Sequence, residues 1–341
     1  MKTIPLCLIG FGNVGQAFAR LLLHKKDDLA KKHEIKFAIT AIATGRHGNA
    51  VCPEGLDLEN AFSLRRKGES LQNLSLMPAP DGIEKILETS AAWAMLENTS
   101  VNYQCGQPAL NYIQAALELG MHVVTANKGP VLYGYRSLSQ LAAQKEVRFL
   151  FESSVMDGAP IFSLFRKTLP AVKLVGFEGI LNSCTNLLLE RMEAGYEFDQ
   201  AVDYAHSIGI TETDPGGDID GWDAAIKTAI LVNVLMGIEL KLDEVERHGI
   251  REIRMDDILQ AKGDGRRWKL ICHAERDGSK VKASVRPEKV TPQSPFFNVS
   301  GTSSFVIFKT DCLPGLGILE SNPSPETTAY GLLSDLLTIF G

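Results

Sequence analysis

The stretch Gly209–Lys227 (GITETDPGGDIDGWDAAIK) gathers Glu212, Asp214, Asp218, Asp220 and Asp223 ahead of a single base, Lys227. Pro215-Gly216-Gly217 is a turn signal, so the chain reads as loop up to Gly221 and as helix from Trp222. Residues four apart share a helix face, which points Asp223 and Lys227 the same way. Carboxylates crowded against one ammonium can bind a small zwitterion and move a proton. The same residues also suit a solvated acidic loop capping a helix, with Asp223–Lys227 an ordinary surface pair. Taken alone, the stretch favours that plainer account. An EF-hand calcium loop does not fit, because its first and twelfth positions would be Gly216 and Lys227 rather than acids. A magnesium–phosphate site is disfavoured by the lysine on the same helix and by the lack of a Walker-type loop.

The other end of the chain changes the weighing. Ile4–Ile9 (IPLCLI) is a nearly continuous apolar run, as in a parallel strand buried on both faces. It leads into Gly10-Phe-Gly12-Asn13-Val14-Gly15 and then a helical pattern through Leu23. Strand, GxGxxG and helix in this order form the dinucleotide fingerprint. Gly10 allows the tight turn, Gly12 lets backbone approach a pyrophosphate, and Gly15 lets helix and strand pack closely. A second strand, Phe37–Ala43, ends in Thr44-Gly-Arg46-His47. Glu34 stands near the usual spacing for a ribose-binding acid, but it precedes the strand. An arginine at the strand end suits a 2′-phosphate, so Arg46 points to NADP, with NAD still open. Hydride chemistry at a carbonyl then needs a proton donor or acceptor, and two lysines qualify by position: Lys227, and Lys128 after the strand His122–Thr125.

The elements that must hold these groups follow a coarse pattern. Alternating strands and helices to about residue 150 predict a doubly wound, mostly parallel, Rossmann-like α/β sheet. Within it, Ala91–Leu96 reads as strand, Pro108–Leu119 and Leu138–Lys145 as helices, and residues 48–82 as loop with one short helix. Beyond 150 the pattern becomes α+β. A strand at Val172–Leu181 ends in Asn182-Ser-Cys-Thr-Asn186, and helices cover Leu187–Met192, Phe198–Ile208 and Asp223–Leu235. The expected division is 1–150 for the NAD(P)-binding domain and 151–311 for a substrate-binding, catalytic and dimerisation domain. A C-terminal helical segment, about 312–341, is expected to pack back on the first.

Composition narrows the class. The chain has 341 residues, a formal net charge of −6, 45% hydrophobic and 22% charged residues, which suits a soluble globular protein of about two domains. The acidic balance argues against a nucleic-acid partner, and no apolar run is long enough to span a membrane. Six scattered cysteines without CxxC or zinc spacing read as reduced thiols in a cytoplasmic protein.

Six segments in order resemble homoserine dehydrogenase: GFGNVG at Gly10–Gly15, TANKGP at Thr125–Pro130, ESSVMDGAP at Glu152–Pro160, GILNSCTN at Gly179–Asn186, Ala205–Lys227, and ETTAYGLLSDLL from Glu326. The fifth is the most specific; Ala205, Gly209, Ile210, Glu212, Asp214, Pro215, Asp218, Ile219, Gly221, Asp223 and Lys227 all match the family's pattern. The resemblance implies reversible reduction of L-aspartate 4-semialdehyde to L-homoserine with NAD(P)H, on the route to threonine and methionine. It implies Lys227 as proton donor and acceptor with Asp223 beside it, and Lys128 near both nicotinamide and substrate. Glu212, Asp218 and Asp223 become substrate-binding acids. Gly10, Gly12, Asn13, Val14, Gly15, Arg46, Thr99, Lys128 and Gly209 become cofactor contacts. Carbonyls of Glu152, Val155, Asp157 and Ala159 would form a sodium site, and the second domain a homodimer. The likeness is to the short form without a regulatory ACT domain, so feedback through such a module is not expected. Thr211 departs mildly from the family's Ala or Ser, Ser183-Cys184 replaces a common Gly-Thr, and Leu313–Glu320 departs from a Gly-rich cofactor contact. Two alternatives stay open: a related NADP oxidoreductase on another amino aldehyde or hydroxy acid, and a dinucleotide-sensing protein without catalysis.

Overall fold

A computed structural model describes residues 1–75, 78–211 and 214–341. The chain forms two compact units, Met1–Pro160 with Ser324–Gly341, and Ile161–Pro323.

In the first unit, β1 (Lys2–Ile9) leads through the glycine turn into α1 (Asn13–His33), followed by β2 (Ile35–Ala43) and a short β3 (Ala50–Val51). Then come α2 (Leu58–Lys67), α3 (Ile83–Thr89), β4 (Ala94–Glu97), α4 (Ala109–Glu118), β5 (His122–Thr125), α5 (Lys128–Gln144) and β6 (Phe149–Leu150). The sheet order is β3-β2-β1-β4-β5-β6, parallel except for the β3 edge. β1 is central, which is why its Ile4, Leu6 and Leu8 are fully buried. The strand order reverses between β1 and β4, the switch point at which open α/β sheets bind ligands.

One helix start in this unit bears on the site and differs from the sequence reading. Helix α5 begins at Lys128, not Leu138, because the Asn127 side chain caps it by accepting from the Gly129 N–H at 3.0 Å. Pro130 lies in the first turn, where its missing N–H costs no helical bond. Lys128 is therefore the first residue of a helix. Glu34 is no cofactor ligand by position: it closes α1 in the left-handed region at φ 57°.

The second unit runs β7 (Leu174–Ile180), α6 (Ser183–Glu193), α7 (Phe198–Ser207), α8 (Gly216–Ile219), α9 (Trp222–Leu231), β8 (Glu246–Arg247), α10 (Met255–Gly263), β9 (Arg267–Asp277), β10 (Lys280–Val290), β11 (Ser304–Thr310) and β12 (Leu316–Glu320). Its sheet order is β12-β11-β7-β9-β10-β8. Helix α6 starts at Ser183, so Asn182 is its cap and not a strand edge; its Oδ1 accepts from the Thr185 N–H at 2.8 Å. The PGGDI segment, expected as loop, closes into the one-turn α8.

The C-terminal boundary falls later than the expected 311. Residues 316–320 belong to the second unit, where they pair antiparallel with β11, Phe305 opposite Leu319 and Ile307 opposite Gly317. Only α11 (Pro325–Phe340) joins the first unit, where Ala329, Leu332, Leu333 and Leu336 enter the core that contains Phe18 and Leu22. Its start is fixed by Ser324, which accepts from Glu326 and Thr327, and by Pro325 at the first helical position.

The six cysteines form no disulfide. Among the described residues, no helix is long and apolar enough to cross a membrane.

Candidate functional site

The acid–base cluster of the second unit is built from three chain segments. Helix α9 carries Asp223 and Lys227 one turn apart, and they do meet: Lys227 Nζ lies 3.0 Å from Asp223 Oδ2, with both side chains largely buried. Burial removes the plainer account of a surface pair. The same ammonium donates to the carbonyl of Leu181 at 2.7 Å, just beyond the end of β7. Asp218, in α8, accepts from Asn182 Nδ2 at 2.7 Å and from Thr211 Oγ1 at 3.1 Å. Asn182 Nδ2 also donates to Asp223 Oδ2 at 3.0 Å. Burial, and next the nearby Asp223 charge, push the Asp218 carboxyl above the usual carboxylate range. A cationic group placed here offsets that repulsion, so the cluster is suited to an ammonium.

Cys184 lies against Asp218 and Thr211; burial first, then the Asp218 charge, push its thiol far upward. It is held as a neutral S–H, not a nucleophile. Cys272, on β9, is pushed up to about 11 by burial. Ser183, the other departure from the family pattern, pairs with Ser304 at 3.3 Å.

A clamp holds the acidic turn in place. Asp220, which had no role from sequence, binds Arg251 through both carboxylate oxygens at 2.7 and 3.0 Å, and this contact holds its carboxyl below the usual range. Arg247 donates to the Asp220 carbonyl and stacks on Trp222 with its guanidinium 3.6 Å from the ring centroid. The Ile250 N–H bonds the Ile219 carbonyl at 2.8 Å. Gly249 is required at that crossing, since a Cβ would stand 2.2 Å from the Ile219 oxygen. Asp214 accepts from the Gly216 N–H at 2.9 Å and shapes the turn, as its Asp-Pro sequence suggests.

In the first unit, the glycine turn has the geometry that a dinucleotide needs. Gly10 has φ +95°, and a Cβ there would meet the Asn98 carbonyl at 2.6 Å. Gly15 packs so closely that a Cβ would stand 2.4 Å from the Gly10 oxygen. Gly12 is different: nothing lies within 4 Å of where its Cβ would be. It precedes α1 without any side-chain cap, leaving the first-turn amides of Asn13, Val14 and Gly15 for an anion. Beside this turn, at the end of β4, Asn98 Oδ1 and Nδ2 are sealed from solvent with no protein partner. Buried polar groups take partners, so this carboxamide fits a bound ligand. Arg46 is exposed on a turn that Thr44 braces, accepting from the His47 N–H at 2.9 Å and donating to the Gly48 carbonyl at 2.9 Å.

Sequence reasoning missed what braces this edge. Glu97, fully buried at the end of β4, accepts from the Thr99 N–H at 2.8 Å, the Thr99 hydroxyl and the Thr125 hydroxyl at 2.9 Å. Burial raises its carboxyl above the ordinary range against these donors. Asn127 then donates to the Thr99 carbonyl at 3.2 Å. Thr99 and half-buried Lys128 thus stand just beyond the ends of two adjacent strands, β4 and β5, that one carboxylate joins.

The remaining sequence candidates are scattered. Glu212 lies outside the described residues. Gly209 follows α7 with φ +74°, a local requirement that accounts for glycine there. In the Glu152–Pro160 loop, side chains are engaged with α11: Asp157 accepts from Thr328 at 2.6 Å, Ser153 donates to the Thr328 carbonyl at 2.8 Å, and Asp335 accepts from the Glu152 N–H at 2.8 Å. Among the described residues, no group of three or more His, Cys, Asp or Glu could hold a metal ion. A sodium site here would thus rest on backbone carbonyls.

The family profile described as "Homoserine dehydrogenase" matches residues 160–337, and that described as "Homoserine dehydrogenase, NAD binding domain" matches residues 10–152. An NAD(+)-dependent homoserine dehydrogenase from Pseudomonas canavaninivorans is 34% identical, over 99% of this chain and 97% of that protein. A homoserine dehydrogenase from Methanocaldococcus jannaschii is 34% identical, over 99% of this chain and 98% of that one. Among solved structures, a hyperthermophilic archaeal homoserine dehydrogenase in complex with NADPH superposes with a TM-score of 0.84 at 27% identity, covering 99% of this chain and 98% of that one.

The contrast between two glycines is testable. Gly12→Ala should fold with an unchanged melting temperature but bind dinucleotide roughly tenfold or more weakly, because the methyl fills open space above the turn. Gly15→Ala should lose about 1–3 kcal/mol of stability, because backbone must move. Thermal melts and cofactor titration of both variants separate the two effects; equal affinity in Gly12→Ala and wild type would remove the phosphate role of this turn.

Proposed function

The chain belongs to the homoserine dehydrogenase family, and on that premise we propose which of its residues carry the reaction. The reaction interconverts L-aspartate 4-semialdehyde and L-homoserine with a nicotinamide dinucleotide, which supplies or accepts the hydride. The protein must do the rest. In the oxidative direction the substrate hydroxyl loses its proton as the hydride leaves the adjacent carbon; in reduction the aldehyde oxygen gains one.

Lys227 is assigned as the group that exchanges this proton. The observation that carries the assignment is its double anchor. Two of the three donors of its ammonium point at Asp223 and the Leu181 carbonyl, 3.0 and 2.7 Å away. The third is left for a substrate oxygen, and Asp223 holds the charge as the proton comes and goes. Asp218 and Asp223, with Glu212, are assigned to the substrate's ammonium. Lys128 is assigned to orient nicotinamide and substrate, and Thr99, braced by Glu97, to the same edge. The turn Gly10–Gly15, with Asn13 and Val14, is assigned to the pyrophosphate, Arg46 to a 2′-phosphate, and Gly209 to a cofactor contact.

Reduction of NADP+ by L-homoserine at alkaline pH tests this directly. Lys227→Ala should lower kcat roughly a hundred- to ten-thousand-fold, with dinucleotide affinity retained. A wild type without turnover sinks the activity; an unimpaired Lys227→Ala, with Lys128→Ala inactive, moves the proton to Lys128. In the same assay Arg46→Ala should lower kcat/KM for NADP+ roughly ten- to hundredfold and leave NAD+ unchanged. A preference that survives the substitution removes Arg46 from the site.

Two further assignments rest on the family likeness. Carbonyls of Glu152, Val155, Asp157 and Ala159 are assigned to sodium; replacing sodium with a bulky organic cation should lower the melting temperature, and no change refutes the site. A homodimer through the second unit is supported by its edge strand β12, on which Leu319 is 58% exposed. A charged cavity of about 550 Å³ lined by Glu178, His273, Arg286 and Lys309 lies on the same unit, apart from Lys227. Light scattering should give twice the 37.2 kDa of one chain; a monomer at micromolar concentration would contradict the dimer.

A further inference from the structure

Asn182 sits where three constraints meet. Its Oδ1 accepts from the Thr185 N–H at 2.8 Å and caps α6. That bond fixes which end of the carboxamide is oxygen, so the NH2 group must face the other way. There it donates to Asp218 Oδ1 at 2.7 Å and to Asp223 Oδ2 at 3.0 Å. Its two N–H groups are thus divided between two carboxylates from different helices, and Asn182 is itself 3% exposed. Leu181, the preceding residue, anchors Lys227 through its carbonyl. One dipeptide therefore holds all three charged groups of the cluster.

We propose that Asn182 is a positioning residue that keeps Asp218 and Asp223 side by side as hydrogen-bond acceptors, and so sets the seat for the substrate's ammonium. The inference rests on the site reading above and adds to it a residue that touches neither proton nor hydride. The physical need is clear. Two buried carboxylates repel each other, and each neighbour must either neutralise them or donate to them. Facing the pair are Lys227 from α9, bonded to Asp223; the Thr211 hydroxyl, bonded to Asp218; and the Cys184 and Cys272 thiols of α6 and β9, both pushed up from the ordinary thiol range. Lys227 is the only cation in that set of described groups. Among the described contacts, Asn182 is the neutral group that donates to both acids.

Substitutions that keep the helix cap isolate this role, because Asp and Ser cap helices about as well as Asn. Asn182→Asp replaces the bridging NH2 with oxygen and sets a third carboxylate against two. The charged forms are then disfavoured, carboxyl pKa values rise, and protonation persists to higher pH. The acid limb of the kcat/KM profile for L-homoserine should move up by about one pH unit, with kcat/KM at its plateau falling more than ~tenfold. Asn182→Ser removes the bridge without adding charge, so KM should rise while the limb moves less. NADPH affinity should be unchanged in both. Titration of Asp side-chain carboxyls by 13C NMR, without substrate, should show the highest pKa raised in Asn182→Asp. A pure capping role predicts wild-type KM, limb and carboxyl titration in Asn182→Ser, and that result overturns the proposal even if Asn182→Asp fails to fold. Loss of the shared donor in Asn182→Ser should raise the highest carboxyl pKa. Absence of turnover by wild type would instead strike the activity, leaving the carboxyl titration of Asn182→Ser to decide on Asn182.

Discussion

Two carboxylates held together away from water impose more order on their surroundings than any other feature of the second unit. Asp218 and Asp223 come from α8 and α9, with a left-handed Gly221 between the helices. Bringing them together requires partners from outside both helices: Asn182, which donates to both acids, and the Leu181 carbonyl, which accepts from Lys227. Both partners are in place because β7 ends and α6 begins at that point. The Asp220–Arg251 clamp and the close crossing at Gly249 then keep α8 from relaxing away. Exposed ion pairs contribute little to global stability. The clamp's value is local, in fixing a one-turn helix too short to hold its own shape.

The first unit solves a related problem with a single buried acid. Among the described residues, hydroxyls and a backbone N–H, rather than a cation, hold Glu97. Burial alone would drive such a group towards its neutral form, and the donors work against that. The result is a rigid joint between the ends of β4 and β5. Both Thr99 and the cap of α5 depend on that joint, and so does the direction in which Lys128 leaves the sheet.

How much of this was legible in the sequence depends on the range of the forces involved. The glycine turn was readable because each glycine answers a local demand, and the packing of Gly10 and Gly15 meets it. Asp223 with Lys227 was readable because one helical turn joins them. Asn182 and Glu97 were not, since their partners lie 36 and 41 residues away for Asn182 and 28 away for Glu97 with Thr125. Polar side chains at strand ends look like loop punctuation until the distant partner is known. The misplaced start of α5 has the same origin: Asn-Lys-Gly-Pro reads as a turn, yet Asn caps and Pro is tolerated in a first turn. Cap chemistry at Asn182 and Asn127 was the signal available, and it would have placed both residues at helix starts.

Charge then bears on what the cluster accepts. Asp218, Asp223 and Lys227 together carry one net negative charge when ionised, and the acids are mostly buried. A hydroxy acid without an amino group would bring its carboxylate to this seat and add to the repulsion that already raises Asp218. An amino alcohol brings an ammonium, which would lower the cost of ionising Asp218 and, on the proposed assignment, leave Lys227 to the hydroxyl oxygen. Repulsion against the wrong ligand discriminates as strongly as attraction to the right one. The same electrostatics that raise Asp218 thus favour an amino alcohol over a plain hydroxy acid, and they do so before any contact with the substrate's carbon chain.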